Sequence, residues 1–340
     1  MRPALRFAML ALSVLAALGM ISAAHARCQT GEVKLRFAQG ADQQEAAGQS
    51  VRGRLARLLS STINAELQGR ACVEILKDAT RYDGLLVVNA LTGNEADLAA
   101  IDLANLAALE PGFQVLGLPL AFRNLRAVDR FAVSPPMKAL SASIKKAGLL
   151  GLGVVHGGFF QLSGKRPVIN PSDVLGLRFR RASGDASGLG NALRTVAQTV
   201  ADADLVAAMG DGRVEVQSNT WVALGRGQHG KIHDGVTVTN HAYFGTLLTV
   251  SERFWDAQSP NLRRDLMGIF DRLVRQTNFE TARRERAAKR FVVRSGVPVR
   301  ALTRAQRLRW RAAVQSVWDV FQAPNKEALL TAVELANRGP

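Results

Sequence analysis

Cysteine and histidine are scarce in this chain, and their scarcity excludes most kinds of metal site. The 340 residues include two cysteines, Cys28 and Cys72, and five histidines. Two cysteines so far apart cannot build a metal site with scattered histidines, so no metal site is predicted. A Gly-x-Ser-x-Gly motif is also missing, and nothing places a base beside a nucleophile. Catalysis is therefore only a distant alternative.

A glycine-rich phosphate loop is lacking as well. The run Gly151-Leu152-Gly153 has a superficial likeness to a dinucleotide-binding loop, but the third glycine of that motif falls on His156. The glycines also lie within a strand pattern, whereas the motif opens a helix. No nucleotide and no other cofactor is predicted.

Acidic residues are absent from the first 26 positions, which have the features of an export signal. Two arginines are followed by an almost continuous apolar run over residues 8–21, and Ala24-His25-Ala26 fits the small-x-small cleavage rule. We predict a signal peptide over residues 1–26, cleavage before Arg27 and a periplasmic mature protein. A retained transmembrane anchor is the alternative, but the apolar run is short for a span.

The chain is strongly basic and poor in aromatic residues. Lysine and arginine number 44 against 28 acidic residues, and the net charge of +16 falls to +14 without Arg2 and Arg6 of the signal peptide. Such a charge suits nucleic acid, an anionic membrane surface or anionic ligands. The basic residues are spread over helices, often beside acids, with little aromatic interleaving. Nucleic acid is therefore excluded as a partner, and a solvated basic face is favoured.

The first third of the chain alternates strand and helix patterns. Residues 33–38, 72–76 and 96–101 have strand patterns separated by helices, which predicts a parallel sheet with right-handed crossovers. Cys28 precedes the first strand and Cys72 opens the second, so an exported protein would join them in a disulfide if these strands are neighbours. The alternative is one frayed terminal thiol and one buried apolar thiol.

A long helix is predicted in the last third. The Ser-Pro pair at residues 259–260 is typical of a helix start, and the apolar periodicity continues to about Arg290. At roughly eight turns this helix is long enough to brace two lobes. Residues 291–293 are predicted to be extended. A Thr303–Gln306 capping box then starts another helix, and a last helix covers about 326–337.

The functional prediction is centred on the stretch from Asp173 to Asn219. Its pattern indicates a strand, a helix, a short helix and a strand, and it brings Arg180 and Asn219 to the ends of adjacent strands. We predict that these two side chains hold the ligand.

Several motifs resemble those of the DctP-type solute-binding proteins of TRAP transporters. Residues 173–180 have the sequence D-V-L-G-L-R-F-R, similar to the family signature D-L-K-G-L-K-I-R, which is the most specific motif. Residues 118–122, 208–219, 239–243 and 255–256 continue the likeness, which covers nearly the whole mature chain.

The resemblance implies an α/β, two-lobed periplasmic solute-binding protein fold with crossing strands and a long bracing helix. We expect residues 27–157 and 246–285 in lobe I, residues 158–245 and 286–322 in lobe II, and a C-terminal helix over residues 323–340. The resemblance further implies a soluble protein, expected to be a monomer, that passes a small organic acid to the permease subunits of a sodium-driven TRAP transporter. A ligand sensor that presents its closed form to a signalling receptor and an exported enzyme are the alternatives.

The resemblance also assigns ligand-binding residues. The arginine that pairs with the ligand carboxylate falls on Arg180, and the asparagine beside it falls on Asn219. A guanidinium offers a planar pair of donors that matches a carboxylate, and an amide donates alongside it. A second arginine carried by many members falls on Phe160, which indicates a less polar, ring-bearing ligand. Phe160 and Trp221 are expected to form pocket walls.

Other residues near these positions are alternatives. Arg178 shares a strand face with Arg180, and the sequence does not decide which of them reaches the cleft. His241 is a possible ligand contact, although a packed, hydrogen-bonded histidine is favoured. Residues 165–166 would supply a cation in place of the second arginine that is missing at Phe160, but a surface turn is favoured there. The segment 215–220 departs from the family pattern, so the rest of the pocket is expected to differ.

Overall fold

The structure is a computed structural model that describes residues 28–40, 50–78, 80–166, 168–182, 185–226 and 235–339. The predicted signal peptide, residues 1–26, and its cleavage position lie outside the described residues. Within the described ranges, no helix combines the length and the apolar character that crossing a membrane requires.

The strands form one mixed sheet. In the described residues they are β1 Val33–Gln39, β2 Ala71–Lys77, β3 Leu98–Asp102, β4 Leu149–Gly164, β5 Arg178–Arg180, β6 Val196–Gln198, β7 Val216–Thr220, β8 Gly235–Ser251 and β9 Val299–Ala301. Their order is β2-β1-β3-β8-β4-β7-β5-β6, and β9 pairs with β8. Strand β1 is parallel to β2 and β3, which confirms the predicted parallel pairing of the first three strands. Strand β5 is likewise parallel to β6 and β7.

Strands β4 and β8 are much longer than the others and run antiparallel along most of their length. At about 3.3 Å per residue, each spans roughly 50 Å. Strand β3 pairs with β8 at residues 246–250, whereas β7 pairs with β4 at residues 160–164. The long pair therefore joins a first lobe, built on β1 to β3, to a second lobe, built on β5 to β7. The predicted crossing strands are confirmed.

The pairing of β4 with β8 is irregular where β4 passes between the lobes. The register shifts between His156 and Gly158 and again between Phe160 and Leu162. Gly158 has a φ of 122°, and a Cβ atom there would lie 2.8 Å from the carboxylate of Glu285. Glycine is needed at this position because both the backbone conformation and the neighbouring carboxylate leave no room for a side chain.

Helices cover both faces of the sheet. In the described residues they are α1 Val51–Glu66, α2 Leu86–Thr92, α3 Leu103–Leu106, α4 Gln114–Gly117, α5 Leu125–Ala132, α6 Pro135–Ser143, α7 Leu189–Ala192, α8 Leu205–Gly210, α9 Trp221–Leu224, α10 Glu252–Asp256, α11 Pro260–Arg294, α12 Arg304–Ala313, α13 Gln315–Asp319 and α14 Lys326–Arg338. Single 3₁₀ turns lie at Pro111–Phe113, Ile144–Ala147, Pro171–Val174 and Asp202–Asp204.

Each lobe has its own apolar core. On one face of the first lobe, Phe37 and Leu248 pack against residues of α1 and α11. On the other face, Leu247 belongs to a core that includes residues of α5, α6 and the C-terminal helix α14. The second lobe is centred on Phe179 and on Trp310 of α12. Burial on both faces of the sheet explains why the central strands are almost entirely apolar or uncharged.

Helix α11 is the longest element, with 35 residues and a length of roughly 52 Å. Its start is as predicted, because the Ser259 side chain accepts a hydrogen bond from the backbone N–H of Leu262 at 3.3 Å. Phe270 packs in the core of the first lobe, whereas Val292 packs with Trp221 in the second. The helix therefore contacts both lobes, as the sequence predicts.

The prediction of an extended segment at residues 291–293 is wrong. These residues complete α11, which ends at Arg294, shortly before Gly296 with a φ of 83°. Val292 is buried and packs with Val236, whereas the residues on either side of it face solvent. Tertiary burial of this one side chain outweighs the weak preference of β-branched residues for strands.

The predicted capping box is confirmed at the start of α12. The Thr303 hydroxyl accepts from the backbone N–H of Gln306 at 3.2 Å, and the Gln306 side chain accepts from the backbone N–H of Thr303 at 2.7 Å. Two helix N–H groups that lack partners within the helix are satisfied in this way. The predicted last helix is also present as α14.

Cys28 and Cys72 form a disulfide, with Cα atoms 5.5 Å apart. Strands β1 and β2 are neighbours, and Lys34 of β1 lies opposite Cys72. The disulfide was predicted on the condition that these two strands are neighbours, and this condition is met. The bond ties the chain ahead of β1 to the start of β2.

Candidate ligand-binding site

Arg180 and Asn219 lie near the carboxyl ends of two neighbouring parallel strands. Arg180 is the last residue of β5 and pairs with Gln217 of β7, two residues before Asn219. With strands about 4.8 Å apart and a rise of about 3.3 Å per residue, the Cα atoms of Arg180 and Asn219 are about 8 Å apart. Side chains at that separation can both reach one small ligand.

The register places several polar side chains on one face of the second lobe. Arg180 lies opposite Gln217, Gln217 opposite Ser163, and Asn219 opposite Gln161. Residues that lie directly opposite each other in a sheet project to the same face. All five side chains are buried. The second lobe thus has a buried polar row in which Arg180 is the charged member.

The two arginines of β5 differ in their surroundings. Arg180 is 6% exposed, and its Nε donates to the carbonyl oxygen of Val200 at 3.2 Å. Arg178 is exposed, and its Nε donates to the carbonyl oxygen of Gly212 at 2.6 Å. The Nη2 atom of Arg178 lies 3.3 Å from the Glu215 carboxylate. The structure therefore places Arg178 in a surface ion pair and Arg180 in the buried polar row.

Phe160 lies in a small apolar cluster where β4 and β8 cross between the lobes. Its side chain is fully buried and packs with Ala182 and Ala242. Its ring centroid is 6.3 Å from that of His241 and 5.8 Å from that of Phe244. Position 160, to which the resemblance assigns a second arginine, is therefore surrounded by these apolar and aromatic side chains.

A cavity of about 100 Å³ lies between the lobes next to this cluster. Phe244 lines it together with Asp102, the last residue of β3, and Gln114 of α4, while Ala186 lines it from the segment after β5. The Asp102 carboxylate forms an ion pair with Nη1 of Arg52 at 3.1 Å. Sequence reasoning missed these first-lobe residues. The signal that could have found them is the position of Asp102 at the carboxyl end of a strand, where α/β sheets bind ligands.

Trp221 belongs to a different cluster. It is the first residue of α9, is 5% exposed and packs with Leu224 and Val236. The Nζ atom of Lys289 lies 5.4 Å from the centroid of its ring. This cluster, which lies under α11, is separate from the cluster around Phe160. The structure does not bring the two expected wall residues together.

His241 is part of a buried hydrogen-bond network. The Thr239 hydroxyl lies 2.8 Å from Nδ1 of His241, and the Asp185 carboxylate lies 3.2 Å from Nε2. The Ser218 hydroxyl donates to the same carboxylate oxygen at 2.5 Å and lies 3.0 Å from Nε2. The network links the segment after β5 to β7 and β8. It therefore fixes the segment from which Ala186 lines the cavity.

Ser218, His241 and Asp185 are not arranged as a catalytic triad. In a triad the histidine contacts the nucleophile with one ring nitrogen and the carboxylate with the other. Here Ser218 and Asp185 both contact Nε2. All three side chains are at most 1% exposed, so no substrate reaches them. The network is structural in this geometry.

The environment of Asp185 lowers the pKa of its carboxyl group. Burial by itself raises that pKa, but the hydrogen bond and charge of His241, with hydrogen bonds from Ser218 and Ser187, outweigh burial and lower the pKa from 3.8 to about 2. Because the pKa is lower in the folded state than in the unfolded state, the carboxylate stabilises the fold fully above about pH 4. This contribution is lost as the pH falls from about 4 towards 2.

We expect the free energy of unfolding to fall by about 2 kcal/mol between pH 4 and pH 2 through this one group. Urea unfolding followed by circular dichroism at several pH values measures this fall. An Asp185→Asn variant is expected to lack the part that comes from Asp185. The matched control is Asp211→Asn, which removes an exposed carboxylate paired with Arg213 and should retain it. Identical pH profiles for the parent and Asp185→Asn would contradict the assignment.

A family comparison establishes the relationship of this chain to known proteins. The family model DctP, described as bacterial extracellular solute-binding protein, family 7, matches residues 43–325. The chain belongs to this family. The family predicted from the motifs is therefore confirmed, and members of the DctP family to which the chain is similar are named as binding proteins.

One relative in the DctP family matches over nearly the whole chain. The C4-dicarboxylate-binding periplasmic protein DctP of Vibrio cholerae is 28% identical over 331 residues, which are 97% of this chain and 98% of that protein.

Crystal structures of TRAP periplasmic solute-binding proteins have the same fold. One from Shewanella oneidensis, with bound succinate, has a TM-score of 0.76 and 22% identity over 90% of this chain and 100% of that chain. Another from Pseudomonas aeruginosa PAO1, with bound L-malate, has a TM-score of 0.70 and 25% identity over 84% of this chain and 99% of that chain. The predicted two-lobed α/β fold is therefore confirmed.

Proposed function

We propose that this DctP-family protein is a periplasmic receptor that binds a small organic carboxylate between its lobes and delivers it to a sodium-driven TRAP-type permease. The observation that carries the proposal is the buried guanidinium of Arg180 at the carboxyl end of β5, beside Asn219 on β7. A charge pair is stronger where water is excluded. The names of the Vibrio cholerae relative and of the two crystal structures all refer to carboxylates.

We further propose that the lobes divide within the crossing elements, at residues 157/158 of β4, 245/246 of β8 and 285/286 of α11. Arg180 and Asn219 would contact the ligand from the second lobe. Gln114 lines the cavity from α4 and would contact the ligand from the first lobe once closure brings it to Arg180 and Asn219, neither of which lines that cavity in this structure. Contacts from both lobes exist only in the closed state, so ligand binding shifts the population towards closure.

The pocket wall gives the chemical class of the ligand. Phe160 replaces the second arginine expected from the family resemblance. It lies opposite Thr220 and so projects to the sheet face away from the polar row, where it packs with Phe244, which lines the cavity between the lobes. An apolar wall cannot compensate the desolvation of a second carboxylate, which costs several kcal/mol. We therefore infer a monocarboxylate with an apolar body, held by Arg180 at its charged end.

A thermal-shift screen with matched ligands tests both statements. Butyrate, pentanoate, 2-oxobutyrate and benzoate are compared with succinate and malate. A monocarboxylate at 100 times its Kd should stabilise the protein by about 2.7 kcal/mol, a rise in melting temperature of about 5 °C. Stabilisation by dicarboxylates alone would contradict the apolar wall but leave carboxylate binding intact. No stabilisation by any carboxylate would contradict the proposed function itself.

A further inference from the structure

The carboxyl-terminal half of α11 has an exposed face that carries both basic and large apolar side chains. Between residues 279 and 294 the exposed basic residues are Arg283, Arg284, Arg286, Arg290 and Arg294. The same segment contains two acids. Glu285 is buried, and its carboxylate accepts from the backbone N–H of Val222 at 3.1 Å, so its charge points inward. Glu280 is half-buried and accepts from Gln276 at 3.3 Å.

None of these five arginines has a carboxylate within ion-pair distance among the residues that the structure describes. The first half of the same helix is different. Arg272 pairs with Glu66 at 2.6 Å, and Arg263 lies 3.6 Å from the Asp256 carboxylate. The charge of the first half is thus partly neutralised within the fold. The positive charge of the second half is not neutralised by carboxylates of the described residues and faces the surroundings of the protein.

Helix geometry collects one row of these side chains on a single side. Phe279, Arg283, Arg286, Arg290 and Val293 follow one another at spacings of four, three, four and three residues, which is the repeat of one helix face. The row is about 21 Å long. The two apolar members are unusually accessible, with Phe279 65% and Val293 51% exposed.

The opposite side of this helical segment packs against the rest of the protein, so the row faces outward. Thr281 and Val292 are buried, and Ala288 packs beside Trp221. A Cβ atom added to Gly225 of the neighbouring turn would lie 3.2 Å from the Cβ of Ala288. The helix is therefore held tightly on its inner side and cannot rotate the row into the fold.

We propose that this row, called here the α11 ridge and made of Phe279, Arg283, Arg286, Arg290 and Val293, binds the surface of an anionic phospholipid bilayer. Large apolar side chains among unpaired cations are typical of helices that lie in a membrane interface. Phosphate groups pair with guanidinium groups, and Phe279 and Val293 enter the boundary of the acyl chains. A bilayer offers negative charge and an apolar layer together and requires no matching shape.

The ridge lies apart from the 100 Å³ cavity and from the polar row of Arg180, while Phe279 and Arg286 also line the rim of a larger groove between α11, β4 and α5. Bilayer binding is therefore independent of the ligand, and the proposal goes beyond the proposed function. For a receptor that delivers a ligand to a membrane permease, weak adsorption would restrict its diffusion to the membrane surface. A few basic residues give weak and reversible binding to a membrane surface, because each contributes little binding free energy and salt screens its charge.

Vesicle co-sedimentation tests the ridge. The full chain is expressed with export and recovered from the periplasm. It is mixed with vesicles of phosphatidylcholine alone or of phosphatidylcholine with phosphatidylglycerol. We expect binding to the phosphatidylglycerol vesicles only, and weaker binding as salt is raised. Equal binding to both kinds of vesicle, or no binding to either, would overturn the proposal.

Two triple variants separate the ridge from net charge. Arg283→Gln/Arg286→Gln/Arg290→Gln should lower partitioning onto anionic vesicles roughly 100-fold, at about fivefold for each arginine. The control Arg263→Gln/Arg264→Gln/Arg272→Gln removes the same charge from the first half of α11 and should retain most binding. Equal losses in both variants would overturn the proposal in favour of non-specific attraction. All six positions are on the surface helix, and melting curves confirm that each variant is folded.

The apolar members of the ridge have their own test. Phe279→Ser should weaken binding to anionic vesicles by a factor that does not change with salt, because it removes no charge. If vesicles bind the protein only when they contain the permease, the ridge recognises an acidic protein surface and the bilayer proposal is wrong.

Discussion

Replacement of Arg180 with alanine is expected to cut the thermal shift produced by every carboxylate that stabilises the parent protein to about a third or less, at a ligand concentration of about 100 times the parent's Kd. Arg180 is 6% exposed, so the pairing of its guanidinium with a carboxylate is shielded from water. Truncating one partner of a desolvated charge pair costs about 2–5 kcal/mol. That cost is a loss in affinity of at least roughly 30-fold, since about 1.4 kcal/mol corresponds to a factor of ten.

Two further variants make this prediction specific. Arg180→Lys keeps the charge but loses the planar pair of donors, so it should bind more weakly than the parent and better than Arg180→Ala. Arg178→Ala is the matched control on the same strand. It removes an exposed side chain that already pairs with Glu215, and it should leave affinity within about twofold of the parent.

Isothermal titration calorimetry of each folded variant gives the dissociation constants directly. This measurement matters because Arg180 also donates to the carbonyl oxygen of Val200, so its loss lowers stability even without ligand. Thermal shifts must therefore be compared with each variant's own unliganded midpoint. If Arg180→Ala binds as tightly as the parent, the carboxylate is held elsewhere and the site assignment is wrong.

Local signals explain why much of the fold could be predicted from the sequence. The Ser-Pro start of α11 and the Thr303–Gln306 capping box are formed by residues a few positions apart, and both are present. The parallel order of β1 to β3 followed from the alternation of strand and helix patterns. The first two signals lie within three or four residues of chain, whereas the third is a repeated pattern that extends over residues 33–102.

Long-range packing explains what the sequence could not give. The long pairing of β4 with β8 joins residues 71 to 102 positions apart, and the sequence indicated a strand there only around Gly151 and Gly153. The end of α11 was misplaced because Val292 is helical through its burial in the second lobe. Arg180 and Asn219 were assigned through a motif, and their roles as ligand contacts stay predictions.

The network around Asp185 had no local signal at all. Asp185 lies in a stretch rich in Ser, Gly and Ala that suggests an exposed turn, while His241 is 56 positions away. Only the folded arrangement of β7, β8 and the segment after β5 brings His241, Ser218 and Asp185 into contact. Sequence analysis favoured a packed histidine at position 241, but it could not name the carboxylate that contacts it.

Replacement of Asp185 with alanine is expected to lower the free energy of unfolding by about 3–5 kcal/mol, because it leaves two buried hydrogen-bonding groups without their acceptor, at about 1–3 kcal/mol each. His241 and Ser218 would each lose the same acceptor in a site that is at most 1% exposed, so water cannot take its place. For a chain of this size, the melting temperature should fall by roughly 6–9 °C. Asp211→Ala, which removes an exposed aspartate paired with Arg213, is the control and should cost less than about 1 kcal/mol.

A double-variant cycle decides whether the loss comes from the network. Ser218→Ala alone removes the hydroxyl that donates to Asp185 at 2.5 Å. If the two side chains act together, Asp185→Ala/Ser218→Ala should cost clearly less than the sum of the single variants, by 0.5 kcal/mol or more. Strict additivity, or an Asp185→Ala melting temperature within about 2 °C of the parent, would show that the network does not stabilise the fold. Since the same carboxylate fixes the segment that carries Ala186, Asp185→Ala should also weaken ligand binding, whereas Asp211→Ala should leave it unchanged.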